Sequence, residues 1–79
     1  MNNLDRYNQI FTDTFNIDNA QLEGLTYQSI PLWDSVGHMT LISTLEDTFG
    51  IMVETDDIIS FSSYLKGKQI LTEKYGLQF

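Results

Sequence analysis

The chain has 79 residues, four Lys and Arg against eleven Asp and Glu, a formal net charge of -7 and no cysteine. That length gives room for one small domain, and a fold of this size buries only about 60% of its unfolded surface, which excludes a two-domain enzyme and makes an enclosed active site hard to build. The acid excess has the wrong sign for the phosphates of nucleic acid or of an anionic membrane surface, and the missing thiols remove disulfides, thiolate metal sites and cysteine nucleophiles together.

Residues 4 to 15 place Leu4, Tyr7, Ile10, Phe11 and Phe15 at spacings of three and four, which predicts a helix capped by Asn2 or Asn3. From Asn16 to Asp34 the periodicity lapses into turn-prone residues, with Ile17, Leu22, Leu25, Ile30 and Leu32 expected to pin the connection to the helices. So long a connection is unusual in a small fold and is often functional. A second helix is expected over Ser35–Phe49, between Asp34 as N-cap and Gly50 as its exit. Leu41, Ile42, Leu45 and Phe49 form its inner stripe, and Val36 and Met39 lie at the edge. Thr55 reads as the cap of a short helix through Asp56, Asp57, Ile58 and Ile59. Ser62 or Ser63 then opens a last helix carrying Tyr64, Leu65, Ile70, Leu71 and Tyr75, with Lys74 in its final turn and Gly76 just past it. Gly67 inside that helix costs about 1 kcal/mol relative to Ala and reads as a point of close helix contact.

No segment alternates as a useful strand, and Ile51-Met52-Val53 is too short to found a sheet. The expected fold is all-α: three longer helices and a short third one around a shared core, as one domain over residues 1–79. No apolar run approaches the roughly 18 residues of a membrane helix, and the start of the chain lacks the pattern of a signal peptide. A cytoplasmic monomer is expected.

The informative segment is Trp33-Asp34-Ser35-Val36-Gly37-His38-Met39, which sets a hydroxyl on the first turn of the second helix, directly after the long connection. Backbone N–H groups there lack intrahelical partners and the helix dipole favours negative charge, so a phosphodiester on Ser35 would meet a suitable field. Ser35 as a simple contributor to the helix start satisfies the same pattern.

In this order of elements, the acidic chain and the Asp34-Ser35 pair, the sequence resembles the acyl carrier proteins and related peptidyl carrier domains over essentially its full length. The resemblance implies a small four-helix bundle of acyl-carrier type, not itself an enzyme. It further implies that Ser35 receives 4'-phosphopantetheine from coenzyme A through a separate phosphopantetheinyl transferase. The arm would carry acyl or aminoacyl groups as thioesters, loaded by an activating ligase and handed to downstream acyl-transferring enzymes. Asp34 would cap the helix within the attachment motif, and Trp33, Val36, Met39, Glu46 and Asp47 would form the docking face.

Two departures stand out. Gly37, His38 and Thr40 follow the serine where many fatty-acid carriers have acidic residues, and Trp33 precedes the Asp where small or aliphatic residues are common. Trp33 is readable as a buried loop anchor or as an exposed partner contact. These differences suggest a dedicated carrier in a specialised biosynthetic pathway.

A hydrolytic reading of Asp34, Ser35 and His38 fails on geometry, since all three fall in one turn and Trp33 stands where a nucleophile-elbow glycine belongs. His38 has no second His or Cys for a metal site and reads as a surface or groove-lining residue. Asp56 and Asp57 read as a solvated helix start. The remaining alternative is an acidic helical interaction module that is never modified.

Overall fold

Polar caps and left-handed exits mark most of the helix boundaries. The computed structural model describes residues 2–79 and contains four α-helices: α1 (Asn3–Phe15), α2 (Ser35–Phe49), α3 (Thr55–Ser60) and α4 (Tyr64–Tyr75). The side chains of Asn2, Asp34 and Ser63 accept backbone N–H groups at the starts of α1, α2 and α4. Asn16, Gly50 and Gly76 end the same three helices in the left-handed region. At α3 the expectation is corrected. Thr55 is the first helical residue, and Glu54 occupies the cap position without a side-chain hydrogen bond. With six residues α3 has little stability of its own, and side-chain bonds from α2 and α4 hold it in place.

The core is dominated by aromatic rings. Tyr7, Phe11 and Phe15 line the inner face of α1 and meet Trp33 from the connection, Phe61 from the turn after α3 and Tyr64 from α4. Phe11 and Tyr7 meet edge to face with centroids 4.9 Å apart, and Phe15 stacks on Trp33 at 5.2 Å. Such pairs contribute about 0.5–1.5 kcal/mol beyond the area they bury. Leu41, Ile42 and Leu45 complete the core from α2, while Phe49 is only half-buried. The Tyr7 hydroxyl donates to the Tyr64 carbonyl at 2.7 Å, and burial pushes its pKa far above the usual tyrosine value. Gly67 is buried, and a Cβ there would overlap the Phe61 ring and the Tyr7 hydroxyl, so the close approach is to a ring from the turn after α3 and to a side chain of α1, where a helix-to-helix contact was expected.

The connection from α1 to α2 contains a 3-10 turn at Asn19–Gln21 that the lost periodicity concealed. Leu22 and Leu25 are buried, and Ile17 and Ile30 are half-buried, as expected of pins. Leu32 is exposed instead, because Trp33 takes the inward position beside it. The connection is tied to the start of α4: Tyr27 N–H donates to the Ser62 carbonyl at 2.8 Å and Tyr64 N–H to the Leu25 carbonyl at 3.0 Å. Leu65, expected on the apolar face of α4, points to solvent. Among the described residues no helix is long and apolar enough to cross a membrane.

Candidate functional site

The site begins with how the chain turns into α2. Gln28 adopts a left-handed φ of 65°, and its N–H donates to the Trp33 carbonyl at 3.0 Å, so the loop closes just before the helix. Trp33 anchors that closure, wholly buried between Phe15 and Phe11. This settles its two readings in favour of the loop anchor and removes it from the docking face. Gly37 lets the loop backbone lie directly on the helix, since a Cβ there would overlap the Leu32 carbonyl oxygen.

Ser35 is thereby presented as an exposed first residue of α2. The Asp34 carboxylate accepts the Gly37 N–H at 2.8 Å, and the first intrahelical bond runs from His38 N–H to the Asp34 carbonyl at 2.8 Å. The N–H groups of Ser35 and Val36 therefore lie ahead of the hydrogen-bond ladder, at the positive end of the dipole. Ser35 Oγ lies 3.3 Å from the Tyr27 hydroxyl. The Ser35 hydroxyl is thus exposed and flanked by a hydroxyl and a helix start, with the neighbouring acid occupied as a cap.

His38 is partly buried and does not address Ser35. Trp33 Nε1–H can only donate, and it donates to His38 Nδ1 at 2.9 Å, so the imidazole proton resides on Nε2 and is donated to the Ile58 carbonyl at 2.8 Å. With both nitrogens engaged, His38 links the loop anchor to α3. It also lines, as expected, a cleft of about 250 Å³ with Tyr27, Ile58, Ile59, Phe61 and Ser62, adjoining Ser35 through Tyr27.

The proposed docking residues divide. Val36 and Met39 are 76% and 49% exposed, and with Asp47 they border one open depression running along α2 from Ser35. Glu46 is half-buried and points elsewhere: its carboxylate accepts the Val53 N–H at 3.0 Å, closing the turn after α2, which corrects its assignment to the docking face.

Asp57 also departs from expectation. Far from belonging to a solvated helix start, it is 3% exposed and bonded to Lys74 Nζ at 2.7 Å and to the Tyr75 hydroxyl at 2.6 Å. Those two hydrogen bonds, the Lys74 one foremost, hold its carboxyl below the usual aspartate range, and the same pairing raises the Lys74 ammonium. Tyr75 is raised chiefly by burial, then by its bond to Asp57. Among the described residues no three His, Cys, Asp or Glu side chains are grouped to hold a metal ion.

The residues that sequence reasoning missed are Tyr27 and the bridging role of His38. Tyr27 lies in an aperiodic stretch where side-chain direction is unreadable, whereas Gly37, a poor helix former in the first turn of a strong helix, did carry a signal of close approach. No protein-family model matches this chain, and neither a curated protein nor a solved structure matches it.

Proposed function

We propose that this chain is a carrier protein whose Ser35 bears 4'-phosphopantetheine and which presents acyl or aminoacyl groups to partner enzymes. The observation that carries the reading is the placement of Ser35: an exposed hydroxyl on the first turn of α2, ahead of the hydrogen-bond ladder and capped by Asp34. In the attachment step Ser35 Oγ forms a bond to the phosphorus of coenzyme A that bears pantetheine. The bond from that phosphorus to the adenosine 3',5'-bisphosphate oxygen breaks, and the serine proton passes to a base on the transferase. The arm supplies a thiol that this cysteine-free chain lacks, and its flexibility keeps the cargo at high effective concentration beside a docked enzyme.

This chain's own contribution is to expose the hydroxyl and to offer a docking face. Val36 and Met39 provide apolar contact beside Ser35, and Asp47 adds negative charge further along the same depression. A net charge of -7 favours encounter with basic partner surfaces.

The test is the intact mass of the wild type and of Ser35→Ala after incubation with coenzyme A and a broad-specificity phosphopantetheinyl transferase. A gain of one phosphopantetheine on the wild type alone is expected. No gain with several transferases, on folded protein, overturns the carrier reading in favour of an unmodified interaction module.

A further inference from the structure

We propose that Tyr27 is the positioning residue for the Ser35 hydroxyl and for the phosphodiester formed on it, an inference that rests on the carrier reading. Its hydroxyl lies 3.3 Å from Ser35 Oγ, at the outer reach of a hydrogen bond. The ring that carries it is well fixed. Its backbone N–H is bonded to Ser62, its ring meets His38 at 5.3 Å and Trp33 at 6.3 Å, and His38 is itself held at both nitrogens. The hydroxyl is thus aimed at Ser35 by a chain of contacts that begins in the buried Trp33.

Charge makes this neutral donor important. The four basic residues are Arg6, Lys66, Lys68 and Lys74, and none lies in the connection or in α2. A phosphodiester on Ser35 therefore has no cation from its own segment, and its charge is met by the N–H groups at the start of α2 and by the Tyr27 O–H. The present separation is long for an O–H···O bond. A phosphate oxygen is the stronger acceptor, and hydrogen bonds to ionised groups are shorter and about twice as strong as neutral ones. Tyr27 orients Ser35 Oγ before modification and holds the phosphodiester after it.

Tyr27→Phe keeps the ring and removes only the hydroxyl. Relative to wild type, the transferase kcat should fall about three- to tenfold, as suits the loss of one hydrogen bond in the reacting arrangement, with KM for the carrier unchanged because the docking face is intact. The ¹³Cβ resonance of Ser35 should shift in the unmodified protein, and the ³¹P resonance should shift in the modified one. Neither spectroscopic change is expected from a residue that merely fills the loop. A wild-type kcat and an unmoved ³¹P signal in Tyr27→Phe would overturn the proposal while leaving the carrier reading standing. A large fall in melting temperature would also overturn it, by making the hydroxyl a structural group. No mass gain on the wild type in the same assay overturns both.

Discussion

α1 and α3 are held to the molecule by opposite means. α1 buries four apolar side chains, Tyr7, Ile10, Phe11 and Phe15, against rings from three other segments. α3 buries one residue, the charged Asp57, and leaves Ile59 76% exposed. Beyond the half-buried Ile58 side chain, its attachments are directional: the Ile58 carbonyl to His38, and Asp57 to Lys74 and Tyr75. Close packing fails all at once, whereas a few hydrogen bonds are released one at a time. α1 is thus the rigid support, and α3, which lines the cleft adjoining Ser35, is held by fewer contacts and is expected to open at lower cost than α1.

The largest break in this contrast comes from the packed side. Phe11 contacts Tyr7, Phe15, Trp33, Phe61 and Tyr64, and truncating such a residue costs about 3–5 kcal/mol in lost transfer and cavity energy. Against a total stability on the order of 5–15 kcal/mol, Phe11→Ala should lower the urea midpoint steeply. A loss under about 1 kcal/mol, the level of a surface change, would refute the rigid-support account.

The polar side answers to pH. Because folding lowers the Asp57 pKa, its contribution is fully present above the unfolded value of about 3.9 and disappears as pH falls through the folded one. Lys74, raised in the fold, contributes up to its unfolded value of about 10.4 and loses that contribution only as pH climbs further. Asp57→Asn should therefore melt below wild type at neutral pH, with the gap closing as both are acidified. In hydrogen exchange at neutral pH the amides of α3 should quicken while those of α1 stay unchanged. Equal quickening in both helices would mean that α3 is not a separately held unit.

How legible each region was in the sequence follows the same division. α1, α2 and α4 announced themselves through apolar spacing, because packing on one helix face imposes a period, and through cap candidates at Asn2 or Asn3, at Asp34 and at Ser62 or Ser63, of which Asn2, Asp34 and Ser63 do the capping. Hydrogen bonds between distant side chains impose none. The Asp57 pair with Lys74 and the Trp33–His38–Ile58 link were therefore invisible, and two adjacent acids at a helix start looked solvated. In the candidate site, Ser35 and its Asp34 cap were readable because they sit at a helix boundary. Tyr27 was not, because a chain that turns through a left-handed Gln28 carries no rule for where its side chains point. Glu46 was misassigned for a related reason: an acidic residue late in a helix reads as surface charge, while here its carboxylate closes the following turn onto Val53.

The smallest expected change in stability falls at Val36, and it separates a packed apolar residue from one kept for contact. Val36 adjoins Ser35 and is 76% exposed, so Val36→Ser should alter stability by no more than about 0.5 kcal/mol. If the face along α2 is where the transferase docks, the same substitution should raise KM for the carrier severalfold while leaving kcat near wild type, the reverse of the change expected at Tyr27. Such a split would assign Val36 to encounter and Tyr27 to orientation, one residue and eight residues from the same hydroxyl. A melting temperature that drops as it would for a core residue would instead place Val36 with the packed half of the molecule, and the docking face would have to begin at Met39.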